Sequence, residues 1–88
     1  FVARHGGEEF LLVLDAVPLP AAMARMERLR LQVQGSQVTL ADGSGLHYTV
    51  SIGVATYGPG QDTVRSLLAA ADAKLYMAKR EGRNRVVG

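Results

Sequence analysis

Apolar residues follow two different spacings along the chain, and these spacings predict strands and helices. Two strand-like segments, 1–4 and 10–14, flank a turn at Gly6-Gly7. This arrangement is typical of a β-hairpin, because glycine supplies the positive φ of tight turns. The second segment is apolar at five consecutive positions, as in a central strand that is covered on both faces. We therefore expect a sheet with helices on each side.

A first amphipathic helix is predicted after Pro18 and Pro20. Its apolar positions recur with helical spacing and form one stripe: Ala22, Met26, Leu29 and Val33. Its arginines point mostly away from that stripe: Arg25, Arg28 and Arg30. Gly35 is expected to end the helix.

A second hairpin is predicted next, with strands at 37–40 and 46–56 and a turn at 41–45. One face of the longer strand carries only small residues: Thr49, Ser51, Gly53 and Ala55. A helix could therefore approach that face closely.

A second helix is predicted from Asp62, a natural N-cap, to just before Gly82. Its apolar residues form a stripe at helical spacing: Val64, Leu67, Leu68, Ala71, Leu75 and Ala78. Val86-Val87 could add a short closing strand, which gives the order β-β-α-β-β-α-β.

Composition limits the classes of function. The 88 residues are 48% hydrophobic and 20% charged, which predicts one soluble globular domain at most. The net charge of +2 is too balanced to argue for nucleic-acid or membrane binding. The lack of cysteine excludes disulfides, thiolate catalysis and cysteine-based zinc sites. No apolar run or leader predicts a membrane segment or export signal, so we expect a cytoplasmic chain.

Two adjacent carboxylates, Glu8 and Glu9, follow Gly6-Gly7 at the tip of the first hairpin. Mg²⁺ is typically bound by a few carboxylates together with substrate phosphates, and glycines let a bulky phosphorylated ligand approach the backbone. In an extended strand the two side chains point to opposite faces, so only one need face a metal. A solvated turn with two surface acids is the alternative, and the residues alone leave it open.

Basic residues cluster at the end of the chain. Half of the ten lie in the last fifteen positions: Lys74, Lys79, Arg80, Arg83 and Arg85. One interpretation is simple capping, because cations are favoured at a helix C-terminus. The other is an anion site, in which Gly82 lets Arg83 leave the helix and converge with Lys79. Such a site must depend on the side-chain charges, since phosphates bind passively at the opposite end of a helix.

Four separated blocks carry a specific resemblance: Gly6-Gly7-Glu8-Glu9-Phe10, Ser51-Ile52-Gly53-Val54-Ala55, Ala71-Asp72 with Leu75-Tyr76 and Ala78-Lys79, and Gly82-Arg83-Asn84. In order and spacing they resemble the motifs of the GGDEF family, the diguanylate cyclases. The resemblance implies an α/β (α+β) fold, a mixed and largely antiparallel sheet flanked by helices, like that of nucleotidyl cyclases. It covers only the second half of that domain, so residues 1–88 are expected to be its C-terminal half.

The resemblance also implies an activity, the condensation of two GTP into cyclic di-GMP with release of pyrophosphate. Each protomer of a homodimer would hold one GTP, and each 3′-hydroxyl would attack the other GTP's α-phosphate. Two Mg²⁺ ions per active site, or Mn²⁺ in their place, would offset the phosphate charge.

Site residues are implied position by position. Glu8 matches the carboxylate that binds metal and assists deprotonation, and Glu9 belongs to the same metal-binding signature. Gly6 and Gly7 match the turn against the nucleotide. Lys79 and Arg83 match the residues that contact the terminal phosphates, and Arg28 matches an arginine of an inhibitory cyclic di-GMP site. Asp72 and Tyr76 are also family landmarks, but their spacing of four positions on one helix face indicates helix-surface contact and packing.

Other residues of the family's site would lie upstream of Phe1: a second metal-binding Asp, the guanine-reading Asn and Asp, and the inhibitory Arg-x-x-Asp. We therefore expect these 88 residues to be inactive alone and a sensor or regulatory domain to lie upstream in the parent protein. The alternative function is a non-catalytic module that binds GTP or cyclic di-GMP or mediates dimeric signalling. The intact acid pair favours the enzyme. An RNA-binding domain is disfavoured, because the aromatics form no stacking surface among the basic residues.

Overall fold

The computed structural model describes the backbone of residues 2–4, 10–12 and 17–88 and the side chains of residues 17–88. Its elements in chain order are β1 (Val2–Arg4), β2 (Phe10–Leu12), α1 (Leu19–Gln34), β3 (Val38–Thr39), β4 (Gly45–Leu46), β5 (Ile52–Gly53), α2 (Val64–Arg80) and β6 (Val86–Val87). No helix in the described ranges is both long enough and apolar enough to cross a bilayer.

The first hairpin is present. Strands β1 and β2 pair antiparallel, with Val2 opposite Leu12 and Arg4 opposite Phe10. The predicted turn at Gly6-Gly7 and the end of the predicted strand at 13–14 lie outside the described residues.

The single strand predicted at 46–56 is wrong, because the structure contains two short strands there. Strand β4 pairs antiparallel with β3, whereas β5 pairs parallel with β6. A strand continues only while it has a neighbour to pair with, and these two ends have different neighbours. The order therefore gains one strand, and the pairings remain mixed and largely antiparallel as expected.

The β5–α2–β6 segment is a parallel crossover unit. Backbone hydrogen bonds run from Ile52 N–H to Arg85 O at 2.9 Å and from Val54 N–H to Val87 O at 2.8 Å. Parallel strands need such a crossover because a tight turn cannot join them. The predicted closing strand at Val86-Val87 is confirmed as β6.

Helix α2 packs on the small-residue face of β5. A Cβ placed on Gly53 would lie 2.8 Å from Leu75 Cα and still closer to Leu75 N and Ala71 O. The backbones of strand and helix are therefore in direct contact, which confirms the close approach predicted from the small residues.

Helix α1 ends at Gly35 as predicted and packs against β6. Ala22 is buried, and the Met23 and Leu19 side chains lie against the backbone of Gly88. Leu29, predicted on the apolar stripe, is 39% exposed. The first two turns of α1 therefore contact the end of the chain just after β6.

Small residues form the buried core of the part whose side chains are described. Ala22 and Ala78 are its buried hydrophobic residues. Larger apolar side chains at several positions remain substantially exposed, among them Val38, Leu40, Leu46, Tyr48, Tyr57, Val64 and Tyr76. The helices approach the strands closely because the residues between them are alanine and glycine, which have little or no side chain.

Thr63, and not Asp62, caps helix α2, so the predicted N-cap is wrong by one residue. Thr63 has an extended backbone, and its Oγ1 accepts a 3.1 Å hydrogen bond from Ser66 N–H. Ser66 Oγ accepts a 3.2 Å bond from Thr63 N–H in return. This reciprocal capping box satisfies two donors at once and sets the first helical residue at Val64.

Candidate functional site

The C-terminal end of α2 turns sharply at Gly82. Glu81 is the C-cap, Gly82 has a φ of 124°, and Arg83 N–H donates a 2.9 Å hydrogen bond to Ala78 O. This bond closes a Schellman-type helix end, in which a glycine adopts the conformation that other residues avoid. The chain therefore leaves the helix at Gly82, as the sequence predicts.

Two more residues of this turn have positive φ. Arg83 has a φ of 65° and Asn84 a φ of 49°. Arg85 Nε donates a 3.1 Å hydrogen bond to Arg83 O, and its guanidinium lies over Gly82. An exposed ion pair joins Arg85 to Glu81 at 3.7 Å. The backbone of Arg83 is thus held at both its N–H and its carbonyl, while its side chain is exposed.

Lys79 lines an open pocket of about 220 Å³ on α2, together with Asp72, Leu75 and Tyr76. Leu75, Tyr76 and Lys79 share a helix face with Asp72 because they follow it by three, four and seven positions. Lys79 is half-buried, and Tyr76 is 63% exposed. Tyr76 therefore lies on the helix surface beside Asp72, as expected of a surface contact, and lines the pocket with little of its side chain packed into the core.

The sequence pattern does not predict where the Arg30 side chain lies. Arg30 was expected to point away from the core, yet its side chain is only 14% exposed and donates a 2.9 Å hydrogen bond to Asn84 Oδ1. Its neighbours on the same helix face, Glu27 and Gln34, have the spacing of helical side-chain pairs and were visible in the sequence. The contact with Asn84 spans 54 positions and has no local signal.

The acidic signature lies outside the described residues. Gly6, Gly7, Glu8 and Glu9 fall between β1 and β2, so their predicted roles remain predictions. Within residues 17–88 and the two described strands, no group of three or more His, Cys, Asp or Glu could hold a metal.

Arg28 lies exposed on α1. An exposed guanidinium can reach a ligand or remain solvated, so the inhibitory-site assignment remains a prediction.

Comparison with known proteins gives consistent matches over nearly the whole chain. The family model "Diguanylate cyclase, GGDEF domain" matches residues 1–85. Diguanylate cyclase A of Treponema denticola is 42% identical over 84 residues, covering 96% of this chain and 22% of that protein. The response regulator PleD of Caulobacter vibrioides is 48% identical over 87 residues, covering 97% of this chain and 19% of that protein. The chain spans about a fifth of the length of these relatives.

A solved structure has the same fold. The GGDEF domain of DgcB from Caulobacter crescentus, in complex with c-di-GMP, superposes with a TM-score of 0.91 at 36% identity. The match covers 99% of this chain and 50% of that one. The fold class predicted from the sequence is confirmed.

Proposed function

Because the chain belongs to the GGDEF family of diguanylate cyclase domains, we propose that it is part of a domain that condenses two GTP into cyclic di-GMP. The chain corresponds to half of the DgcB domain structure, so the activity belongs to a complete domain that contains it. We expect the 88 residues alone to form no product. The relatives' greater length also supports further domains, among them a sensor or regulatory domain.

One observation carries the proposal, the arrangement of basic residues at the end of α2. Lys79 lines the open pocket in the last helical turn, and the 2.9 Å bond from Arg83 N–H to Ala78 O folds the next part of the chain back toward that turn. The helix C-terminus carries partial negative charge, so it repels phosphate. Two cationic side chains at this end offset that charge and can bind the terminal phosphates of GTP.

The reaction consists of two equivalent transfers in a homodimer. In each, a 3′-hydroxyl oxygen bonds to the α-phosphorus of the other GTP, the bond from that phosphorus to the bridging oxygen breaks, and pyrophosphate leaves. Glu8 assists removal of the 3′-hydroxyl proton, and Lys79 and Arg83 stabilise the negative charge that grows on the leaving pyrophosphate. Gly6 and Gly7 allow the nucleotide to approach the hairpin backbone.

One or two carboxylates together with phosphate oxygens are the donor set that Mg²⁺ prefers, and Mn²⁺ accepts the same ligands. Glu8 and Glu9 therefore fit the implied cofactor. When bound, Mg²⁺ would offset the phosphate charge and make the 3′-hydroxyl more acidic.

Binding without catalysis is the second candidate function. It is favoured by one observation, that the similar DgcB structure is a complex with c-di-GMP. The exposed Arg28 would then contact the dinucleotide from α1.

The test is mass-spectrometric detection of cyclic di-GMP after incubating the complete domain with GTP and Mg²⁺. We expect product from the natural domain and none from Glu8→Gln or from the isolated 88 residues. Arg83→Ala should raise KM for GTP about 10- to 100-fold, because a hydrogen bond to a charged group contributes about 1.5–3 kcal/mol. Arg80→Ala is the matched control, since it removes an exposed cation from the same helical turn. No product from an intact dimeric domain would favour the binding module.

A further inference from the structure

Helix α1 is joined to the turn after α2 by a polar network. Arg30 Nη1 donates to Asn84 Oδ1 at 2.9 Å and approaches Asn84 O at 3.4 Å. Gln34 Oε1 accepts from Arg30 Nη1 at 3.0 Å and from Asn84 Nδ2 at 3.3 Å. Both the side chain and the carbonyl of Asn84 are therefore bound by α1.

The same asparagine is also held through its backbone N–H. Asn84 N–H donates a 3.1 Å hydrogen bond to Ser51 Oγ, just before β5. Arg30 lies on α1 and Ser51 immediately precedes β5, so the contacts of Asn84 bridge α1 and the segment that leads into β5. We call Glu27, Arg30, Gln34, Ser51 and Asn84 the polar latch.

The orientation of Arg30 is itself fixed. Its Nε donates to Glu27 Oε1, one turn earlier on α1, while Nη1 faces Gln34 and Asn84. A guanidinium is a rigid planar fork, so a bond at one edge sets the direction of the other. Glu27 therefore aims Arg30 at the turn.

The latch acts on a backbone that needs support. Arg83 and Asn84 both have positive φ. Asparagine adopts this left-handed conformation readily, but it is unfavourable for arginine, so the backbone of Arg83 is the part that needs support. The N–H of Arg83 is held by its hydrogen bond to Ala78 O. The residue that follows Arg83 is Asn84, which the polar latch holds. Two anchors thus enclose the residue whose side chain remains exposed.

We propose that Arg30 and Asn84 are positioning residues that act through Arg83. By holding the left-handed turn, the polar latch presents the Arg83 guanidinium beside Lys79 to the terminal phosphates of GTP. The inference rests on the proposed function, because it takes Arg83 as a phosphate contact. It adds a positioning role for Arg30 of α1, which acts through the turn after α2.

The test is a double-mutant cycle on the complete domain, with binding of guanosine 5′-(α,β-methylene)triphosphate measured by calorimetry. Arg83→Ala should weaken binding at least about tenfold. Arg30→Gln should weaken it about fivefold in the natural background. In the Arg83→Ala background, Arg30→Gln should change binding by less than about twofold, since residues that act through one group are not additive.

A second variant keeps the test valid if Arg30→Gln folds poorly. Asn84→Gly retains easy access to positive φ while losing both side-chain bonds, and it should reproduce the same non-additive pattern. Arg30→Lys keeps the charge but lacks the fork, so it should bind as weakly as Arg30→Gln. Arg25→Gln, an exposed arginine on the same helix, controls for charge and should bind as the natural domain does.

The outcomes separate the two proposals. If Arg30→Gln weakens analogue binding equally in the natural and the Arg83→Ala backgrounds, or does not weaken it in either, the positioning role of the polar latch is wrong. The phosphate role of Arg83 is then unaffected. Unchanged binding by Arg83→Ala would overturn both. Non-additive weakening by both Arg30→Gln and Asn84→Gly supports the positioning role.

Discussion

Gly53 of β5 lies against the backbone of Leu75 on α2, with no room for a side chain between them. A Cβ on Gly53 would come within 2.8 Å of Leu75 Cα and overlap Ala71 O. Both obstacles are helix backbone, which cannot rotate away as a flexible side chain would.

Gly53→Ala should therefore destabilise the complete domain by about 1–3 kcal/mol, the usual cost of overpacking. Urea unfolding would measure it. Gly58→Ala is the matched control, because a Cβ there has no atom within 4 Å and the glycine lacks a positive φ. It should change the free energy of unfolding by less than about 1 kcal/mol. Equal effects from both variants would mean that α2 does not pack this closely.

Thr63→Ala should cost about 1 kcal/mol, because it removes the acceptor for Ser66 N–H at the start of α2. Thr63→Ser keeps that oxygen, so its urea midpoint of unfolding should be close to that of the natural domain. Asp62→Ala should cost less than about 0.5 kcal/mol. A larger loss at Asp62 than at Thr63 would assign the cap to Asp62.

Gly82→Ala should impair both stability and nucleotide binding. Its φ of 124° is open to glycine alone, so alanine should cost about 1–3 kcal/mol and shift the turn that carries Arg83. KM for GTP should rise, and the thermal midpoint of unfolding, measured in parallel, should fall. Gly60→Ala provides the control, since Gly60 has a φ of 87° but lies in the loop before α2. If KM rises equally in both variants, strain and not Arg83 explains the loss.

Asp42 provides a pH-dependent contact in the turn between β3 and β4. Its carboxylate accepts hydrogen bonds from the Ser44 hydroxyl at 2.6 Å and from Ser44 N–H at 2.9 Å. These hydrogen bonds lower the pKa of Asp42 below its ordinary value, and the bond from the Ser44 hydroxyl has the larger effect. The hydrogen bonds to the Asp42 carboxylate therefore stabilise the folded state fully at a pH above the ordinary pKa of about 3.9. This stabilisation is lost as the pH falls through the lowered pKa.

Carbon-13 NMR of the Asp42 carboxyl should report this lowered pKa. Ser44→Ala should raise it toward the ordinary value. Ser36→Ala removes a hydroxyl that donates to Gln32 O elsewhere, so it should leave the Asp42 titration unchanged. A normal pKa in the natural domain would contradict the turn geometry.

Local signals were sufficient for the helices and the first hairpin, because spacing and glycine act over a few residues. Strand 46–56 was mispredicted because its two ends pair with β3 and β6, a choice that depends on distant segments. Asp62 and Thr63 are both good caps, and only the backbone conformation at Thr63 decided between them. For the candidate site, the motifs predict Lys79 and Arg83 as phosphate contacts, and these roles stay predictions, whereas no local signal predicts the contact of Arg30 with Asn84.

The sequence by itself determined the family, the two helices and the basic residues at the end of α2, because each depends on residue types at short, fixed spacings. Only the tertiary structure decided that Arg30 reaches Asn84 and that Leu75 meets Gly53. Both contacts join elements far apart in the chain, and their partners are fixed by how α1, α2 and β5 pack together. Periodicity describes which face of a helix is apolar, but it does not state what lies opposite.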